Sequence, residues 1–175
     1  MKKIFSLWFT GISGSGKSTL AIALKEELDK LSIKTQIIDG DETRKAVGHL
    51  FGHTKEERMK MFSVNRLVAQ YLKENDICTL VAVVAPFKEI RENLREYFGN
   101  AYIEVYVKCS YEECARRDTK GYYKMEKEGK IANLNGANDK YEIPARPDIV
   151  VDTEVENVHE SVLKILSYLK EKQFI

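Results

Sequence analysis

The sequence predicts a three-layer α/β/α fold built on a doubly wound, mainly parallel five-stranded sheet. Strand-like and helix-like segments alternate through its 175 residues. Several strand segments are near-continuous apolar runs, as strands buried on both faces require. A glycine-rich turn, Gly11-Ile12-Ser13-Gly14-Ser15-Gly16-Lys17-Ser18, joins the first strand to the first helix.

Ile4–Thr10 is the first strand, and the turn after it fits G-x-x-x-x-G-K-[ST] in full. In such a loop the backbone N–H groups wrap a phosphate chain and glycines let the main chain approach it. The lysine reaches the β- and γ-phosphates, and the following hydroxyl ligates Mg²⁺. Gly11, Ser13, Gly14, Ser15, Gly16, Lys17, Ser18 and Thr19 are therefore the expected ATP-binding residues, and the fold is expected to be that of the P-loop NTPases. The helix Lys17–Leu31 follows, with Leu20, Leu24, Leu28 and Leu31 at helical spacing.

The second strand, Thr35–Asp39, ends in Asp39-Gly40-Asp41. Two carboxylates at the carboxyl end of a strand face the phosphate loop in this topology. One can hold Mg²⁺, and the other can accept a proton from an attacking hydroxyl. A polar turn is the plainer reading of the same triplet. Arg44 stands where it can hold an acceptor phosphate. The helix Thr54–Glu74 opens with a capping box, Thr54-x-x-Glu57, and is expected to bury Met61, Val64, Val68 and Tyr71.

Strand Cys78–Ala85, helix Glu89–Tyr97, strand Tyr102–Lys108 and helix Tyr111–Arg117 continue the alternation. Residues 118–147 break it. This stretch holds Lys120-Gly121, Gly129 and Asn135-Gly136, many charges and few core candidates. A long loop of this kind reads as an active-site lid. Tyr122, Tyr123 and Tyr141 argue against disorder, and a short helix is expected around Met125–Lys130. Arg116, Arg117, Lys120 and Lys124 can close on a triphosphate. Strand Asp148–Val151 and helix Asn157–Glu171, started by Asn157-x-x-Glu160, complete one domain over residues 1–175. Val158, Val162, Ile165 and Leu169 share a face of that last helix.

Composition narrows the function. A net charge of +1 gives no bulk electrostatic case for nucleic-acid or membrane binding. No apolar run approaches the ~20 residues of a bilayer span. Met1-Lys2-Lys3 followed by an apolar run has the look of a signal peptide, but the run leads straight into the phosphate loop and reads as the first strand. Cys78, Cys109 and Cys114 lack metal-ligand spacing and read as reduced core thiols of a cytoplasmic protein.

Taken together, these residues resemble the adenylylsulfate (APS) kinase family, which uses MgATP to phosphorylate the ribose 3′-hydroxyl of adenosine 5′-phosphosulfate. The resemblance runs through Gly11–Leu20, Ile38-Asp39-Gly40-Asp41 with Arg44, and Ala85-Pro86-Phe87-Lys88 in place of the family's Ser-Pro-Tyr-Arg. It continues through Glu104-Val105-Tyr106-Val107, Arg117-Asp118-x-Lys120-Gly121-x-Tyr123 and Tyr141-Glu142-x-Pro144. It implies Asp41 near the acceptor hydroxyl and Mg²⁺ near Ser18; Asp39 is the expected partner of Ser18 on Mg²⁺, and Arg117 is expected on ATP. It also implies Arg44 and Arg58 on the acceptor and usually a homodimer; Ala85, Pro86, Phe87 and Lys120 are further expected acceptor residues.

The departures from the family pattern cluster. Gly52-His53-Thr54 stands for the family's Gly-Phe-Ser, and Leu134-Asn135-Gly136 for its Phe-Thr-Gly. Glu57-Arg58-Met59-Lys60-Met61-Phe62-Ser63-Val64 stands for Asp-Arg-x-Glu-Asn-Ile-Arg-Arg. In the family the two lost phenylalanines sandwich the adenine. Here His53 would face Leu134, with Met61 nearby, which offers less stacking area. His53 or Asn135 can hydrogen-bond a pyrimidine edge, and Lys88, Arg91 or Arg58 can receive the 5′ group. The expected reaction is therefore phosphorylation of a small nucleotide at its 3′-hydroxyl, with cytidine diphosphoramidate, an intermediate of capsule phosphoramidate synthesis, as acceptor. The alternatives are a true APS kinase and a nucleotide-binding regulatory module.

Overall fold

A computed structural model describes residues 3–47, 50–52, 54–131, 134, 136 and 139–175. Five strands form one sheet: β1 (Ser6–Thr10), β2 (Thr35–Asp39), β3 (Cys78–Ala82), β4 (Tyr102–Lys108) and β5 (Ile149–Asp152). All observed pairings are parallel, in the order β2-β3-β1-β4-β5. Seven α-helices accompany them among the described residues: α1 (Lys17–Lys30), α2 (Gly40–Val47), α3 (Lys55–Glu74), α4 (Lys88–Phe98), α5 (Tyr111–Arg117), α6 (Tyr122–Lys127) and α7 (Val158–Glu171).

Alternation along β1 builds the two outer layers. Leu7 and Phe9 pack with Leu20, Leu24 and Leu28 of α1 and Val162, Ile165 and Leu169 of α7. Trp8 points the other way, to Ile38, Val81 and Val83 and to Ile90 and Leu94 of α4, with Phe62 of α3 stacked on it at 5.5 Å. This is the three-layer P-loop NTPase fold. The chain leaves β1 for β2 and β3 on one side and later for β4 and β5 on the other. Such a switch point opens a crevice at the carboxyl ends of the strands.

Several elements depart from the sequence reading. Asp39-Gly40-Asp41 does not form a turn; Gly40 opens α2. Glycine is a poor helix former, but Asp41 and Glu42 in the first turn and Arg44 and Lys45 in the last complement the helix dipole. On α3 the seated row is Met61, Asn65 and Ala69, not Val64, Val68 and Tyr71; Val68 and Tyr71 are 39% and 59% exposed. Two rows compete on this helix, and in the seated one the small Ala69 lies in the cluster of Trp8 and Val81. Leu31 and Val158, at helix ends, are exposed.

The expected helix at Met125–Lys130 lies at Tyr122–Lys127 instead. The Asp118 carboxylate accepts from the backbone N–H of Tyr123 at 3.1 Å and of Lys124 at 3.0 Å, which starts α6 early. Tyr123 is fully buried and packs with Ile12, Cys109 and Cys114, so this segment does contribute to the core. Both expected capping boxes form, at Thr54/Glu57 and Asn157/Glu160. Cys78, Cys109 and Cys114 are all buried thiols. Among the described residues no helix is long and apolar enough to cross a membrane.

Candidate active site

The phosphate loop is held rigidly by the sheet around it. Gly11 has φ +155°, and a Cβ there would lie 2.5 Å from the Val107 carbonyl oxygen. Only glycine lets the loop pass β4 so closely. Gly14, at φ +77°, lies over Cys114 and the Tyr123 ring, and the Tyr123 hydroxyl donates to the Ser13 carbonyl at 2.7 Å. From the other side Thr153 Oγ1 donates to the Ser15 carbonyl at 3.0 Å. Burial pushes the Cys114 thiol up to about 12, so it stays protonated beneath the loop.

Lys17 turns back over the loop and donates to the Ile12 carbonyl at 2.7 Å. Burial, then the charge of Lys120, lowers its ammonium to about 8. An anion in the cradle would relieve that cost. Ser18 Oγ donates to Asp39 Oδ2 at 2.5 Å, and Asp39 Oδ1 accepts from the Asp41 backbone N–H at 2.8 Å. Asp41 in turn is ion-paired with Lys120. Burial acts to lower the Lys120 ammonium, but the Asp41 hydrogen bond and charge outweigh it and hold it above its ordinary value. Lys120 comes from the segment after α5 and Asp41 from the first turn of α2. Their contact joins the segment after α5 to the end of β2.

These groups line one cavity of about 710 Å³, a size that suits nucleotide-like ligands. Of the expected ATP-binding residues, Ser13, Gly14, Gly16, Lys17, Ser18, Thr19 and Arg117 line it, while Gly11 and Ser15 sit behind it. Arg117 is aimed by Glu113, at 2.8 Å, and by the Thr153 carbonyl, at 2.6 Å; Arg116 is exposed and also pairs with Glu113. Arg116 and Arg117 together lower the Glu113 carboxylate to about 2.

Of the expected acceptor residues, Asp41, Arg44, Arg58, Met61, Ala85, Pro86, Lys120 and Leu134 line the cavity. His53 and Asn135 lie outside the described residues. Arg44 donates to the Phe51 and Gly52 carbonyls at 3.0 and 2.9 Å, so it also shapes the loop before α3. Arg58 faces Asp139 at 3.8 Å, and burial lowers its guanidinium. Phe87 is not in the wall; it packs on the Trp8 cluster, beneath the Lys55 ammonium.

Two anion-binding expectations fail. Arg91 is buried, donates to the Ala85 and Glu142 carbonyls at 2.7 and 2.6 Å and pairs with Glu104 at 3.2 Å. Its role is to brace the Ala85-Pro86 strap, where Ala85 adopts φ +46°. Lys88 is exposed on Glu92.

Sequence reasoning missed Asn65, Phe62, Thr153, Glu156, Asn157 and Ser161 in the cavity wall. The capping box at Asn157 marked a helix start, but only the β1–β4–β5 order brings that start beside the phosphate loop.

For Mg²⁺ the donor set fits. Ser18 and Asp39 offer hard oxygen ligands beside the loop, and no cluster of three or more acidic, histidine or cysteine side chains surrounds them among the described residues. Mg²⁺ bound with a nucleotide takes few protein ligands and keeps phosphate and water oxygens.

Comparison with known proteins gives a consistent picture. The family model described as "Adenylylsulphate kinase" matches residues 3–152. An adenylyl-sulfate kinase of Oceanobacillus iheyensis is 42% identical over 170 residues, 97% of this chain and 85% of that protein. One from Halothermothrix orenii is 40% identical over 174 residues, 99% of this chain and 94% of that protein. Among solved structures, the Mycobacterium tuberculosis APS kinase CysC in complex with AMPPNP and APS superimposes with a TM-score of 0.91 at 27% identity, covering 97% of this chain and 99% of that one.

Proposed function

This chain belongs to the adenylylsulphate kinase family, and from that premise we propose that it transfers the γ-phosphoryl group of ATP to the ribose 3′-hydroxyl of a nucleotide. The observation that carries this is the linked set Ser18–Asp39–Asp41–Lys120, which lies beside Lys17 in a single cavity.

In this reading the loop N–H groups and Lys17 hold the triphosphate. Ser18 and Asp39 would hold Mg²⁺, which neutralises charge on the β- and γ-oxygens when bound. Asp41 accepts the 3′-hydroxyl proton as the oxygen attacks Pγ in line and the bond to the β–γ bridging oxygen breaks. ADP and the 3′-phosphorylated nucleotide leave. Lys120, held by Asp41 until substrate enters, and Arg117 carry positive charge toward the transferring group.

Adenylyl sulfate is the acceptor favoured by the relatives' names and by the solved relative with APS bound. A second reading, cytidine diphosphoramidate, is favoured by Met61 and Leu134 in the cavity wall, where the resemblance implies an asparagine and a stacking phenylalanine. Supplying ATP, Mg²⁺ and each acceptor in turn, and measuring ADP release, separates the two. Faster turnover of adenylyl sulfate upholds the first and faster turnover of the cytidine nucleotide the second. ATP binding without ADP release on either would leave a regulatory nucleotide-binding module. A homodimer in the cytoplasm is the setting we expect; a related APS kinase of Thiobacillus denitrificans is described as hexameric.

A further inference from the structure

Three buried side-chain oxygens have no hydrogen-bond partner among the described residues: Thr35 Oγ1, Asn65 Oδ1 and Glu104 Oε1. Glu104 still faces Arg91 at 3.2 Å, and Thr35 lies at the far end of β2. Asn65 alone of the three lines the cavity, and it is 2% exposed. A lone amide in the buried row of α3 costs stability unless something pairs with it.

Its surroundings say what that partner is. Met61 sits one turn before it on the same face, Ala69 one turn after, and Phe62 beside it. Val83 and Ala85, clustered with Ala69 and Phe62, line the same cavity. The cavity's cations, Lys17, Arg44, Arg58, Arg117 and Lys120, are on other elements or, for Arg58, near the start of α3. An anionic 5′ tail belongs with those cations, because charge is costly beside apolar walls. A flat, uncharged ring with a polar edge suits the Asn65 face.

Building on the kinase reading above, we infer that Asn65 is a specificity residue for the acceptor base. Its Oδ1 accepts a hydrogen bond from an exocyclic amino group, the N6 amine of adenine or the N4 amine of cytosine. Oδ1 itself is closed off in the structure, and a turn about the broad terminal torsion brings it to the cavity face. Bases with a carbonyl at that position, hypoxanthine or uracil, present oxygen to oxygen and are rejected.

The test is binding, measured with Mg²⁺ and ADP present and separately from turnover. The probes are adenosine 5′-phosphosulfate against its inosine counterpart, and cytidine 5′-diphosphate against uridine 5′-diphosphate. Trp8, the chain's one tryptophan, stacks on Phe62 and reports binding by fluorescence. The wild type should favour the amino member of at least one pair by about 10- to 100-fold. Which pair shows it identifies the purine or the pyrimidine. Asn65→Leu, checked for folding by its melting curve, should bring the ratio within about 3-fold; Asn65→Ser takes its place should it not fold. Absence of an amino preference in the wild type, or its survival in the variant, overturns the inference. ADP release from parallel mixtures in which ATP replaces ADP judges the transfer reading independently. Preference without release sinks the kinase reading and keeps Asn65; release without preference does the reverse.

Discussion

Replacing Gly11 with alanine should destabilise the whole chain, because the phosphate loop is seated against β4 with no room for a side chain. The new Cβ would lie 2.5 Å from the Val107 carbonyl oxygen and 2.8 Å from Ser15 Oγ. Ser15 has a side chain that can turn. Val107 is backbone in β4, paired with β1 on one side and β5 on the other, and must move to give ordinary contact. Overpacking of this kind costs about 1–3 kcal/mol. The φ of +155° adds strain of ~1–3 kcal/mol for a non-glycine residue. For a domain of this size, about 2–6 kcal/mol lowers the melting temperature by about 4–24 °C. Gly129→Ala is the control: its φ is +70° but nothing lies within 4 Å of the added Cβ. It should lose only the backbone part, about 1 kcal/mol. Calorimetric melting of wild type and both variants, with and without ATP, measures this. A Gly11→Ala protein melting within 2 °C of wild type would refute the claim that the loop is pinned against β4.

Lys17→Ala should lower kcat by about 10³-fold or more, read by ADP release, since the transferring phosphoryl loses its nearest cation. Asp41→Asn should reduce kcat by about 10²–10⁴-fold while ATP affinity changes little; a matching loss of affinity would make Asp41 a binding group only. Glu113 has its folded-state value depressed to about 2 by Arg116 and Arg117. Its contribution is therefore present above its ordinary value of 4.5 and is lost as pH falls toward 2. The stability gap between wild type and Glu113→Gln should be open above pH 4.5 and narrow on acidification in a pH series of urea melts. His53→Phe combined with Leu134→Phe should raise the kcat/KM ratio of adenylyl sulfate to cytidine diphosphoramidate; an unchanged ratio would place base recognition elsewhere.

Local patterns in the sequence marked several features that the structure then displays. The phosphate loop, the carboxylate pair after β2, the two capping boxes and Arg117 each announce themselves within a few residues. Interactions at short sequence separation set them, so a linear reading suffices. Asn65 left no such mark. An asparagine among apolar helix residues reads as surface until the seated row of α3 is known. Choosing between the Met61–Asn65–Ala69 row and the Val64–Val68–Tyr71 row needed the Trp8 face of the sheet. Arg91 shows the reverse: the linear reading offered it to the acceptor's 5′ group, and burial against Glu104 assigned it to bracing.

By itself the sequence determined that this chain binds a nucleoside triphosphate on an α/β/α scaffold, because strand periodicity, helix caps and the loop motif are encoded over short spans. Tertiary structure alone decided which residues share the cavity. Strand order carries Lys120 to Asp41 and the start of α7 to the phosphate loop, and packing against the sheet turns Asn65 inward. Contacts between residues far apart in the chain follow from that three-dimensional closure, and no local pattern of side chains encodes them.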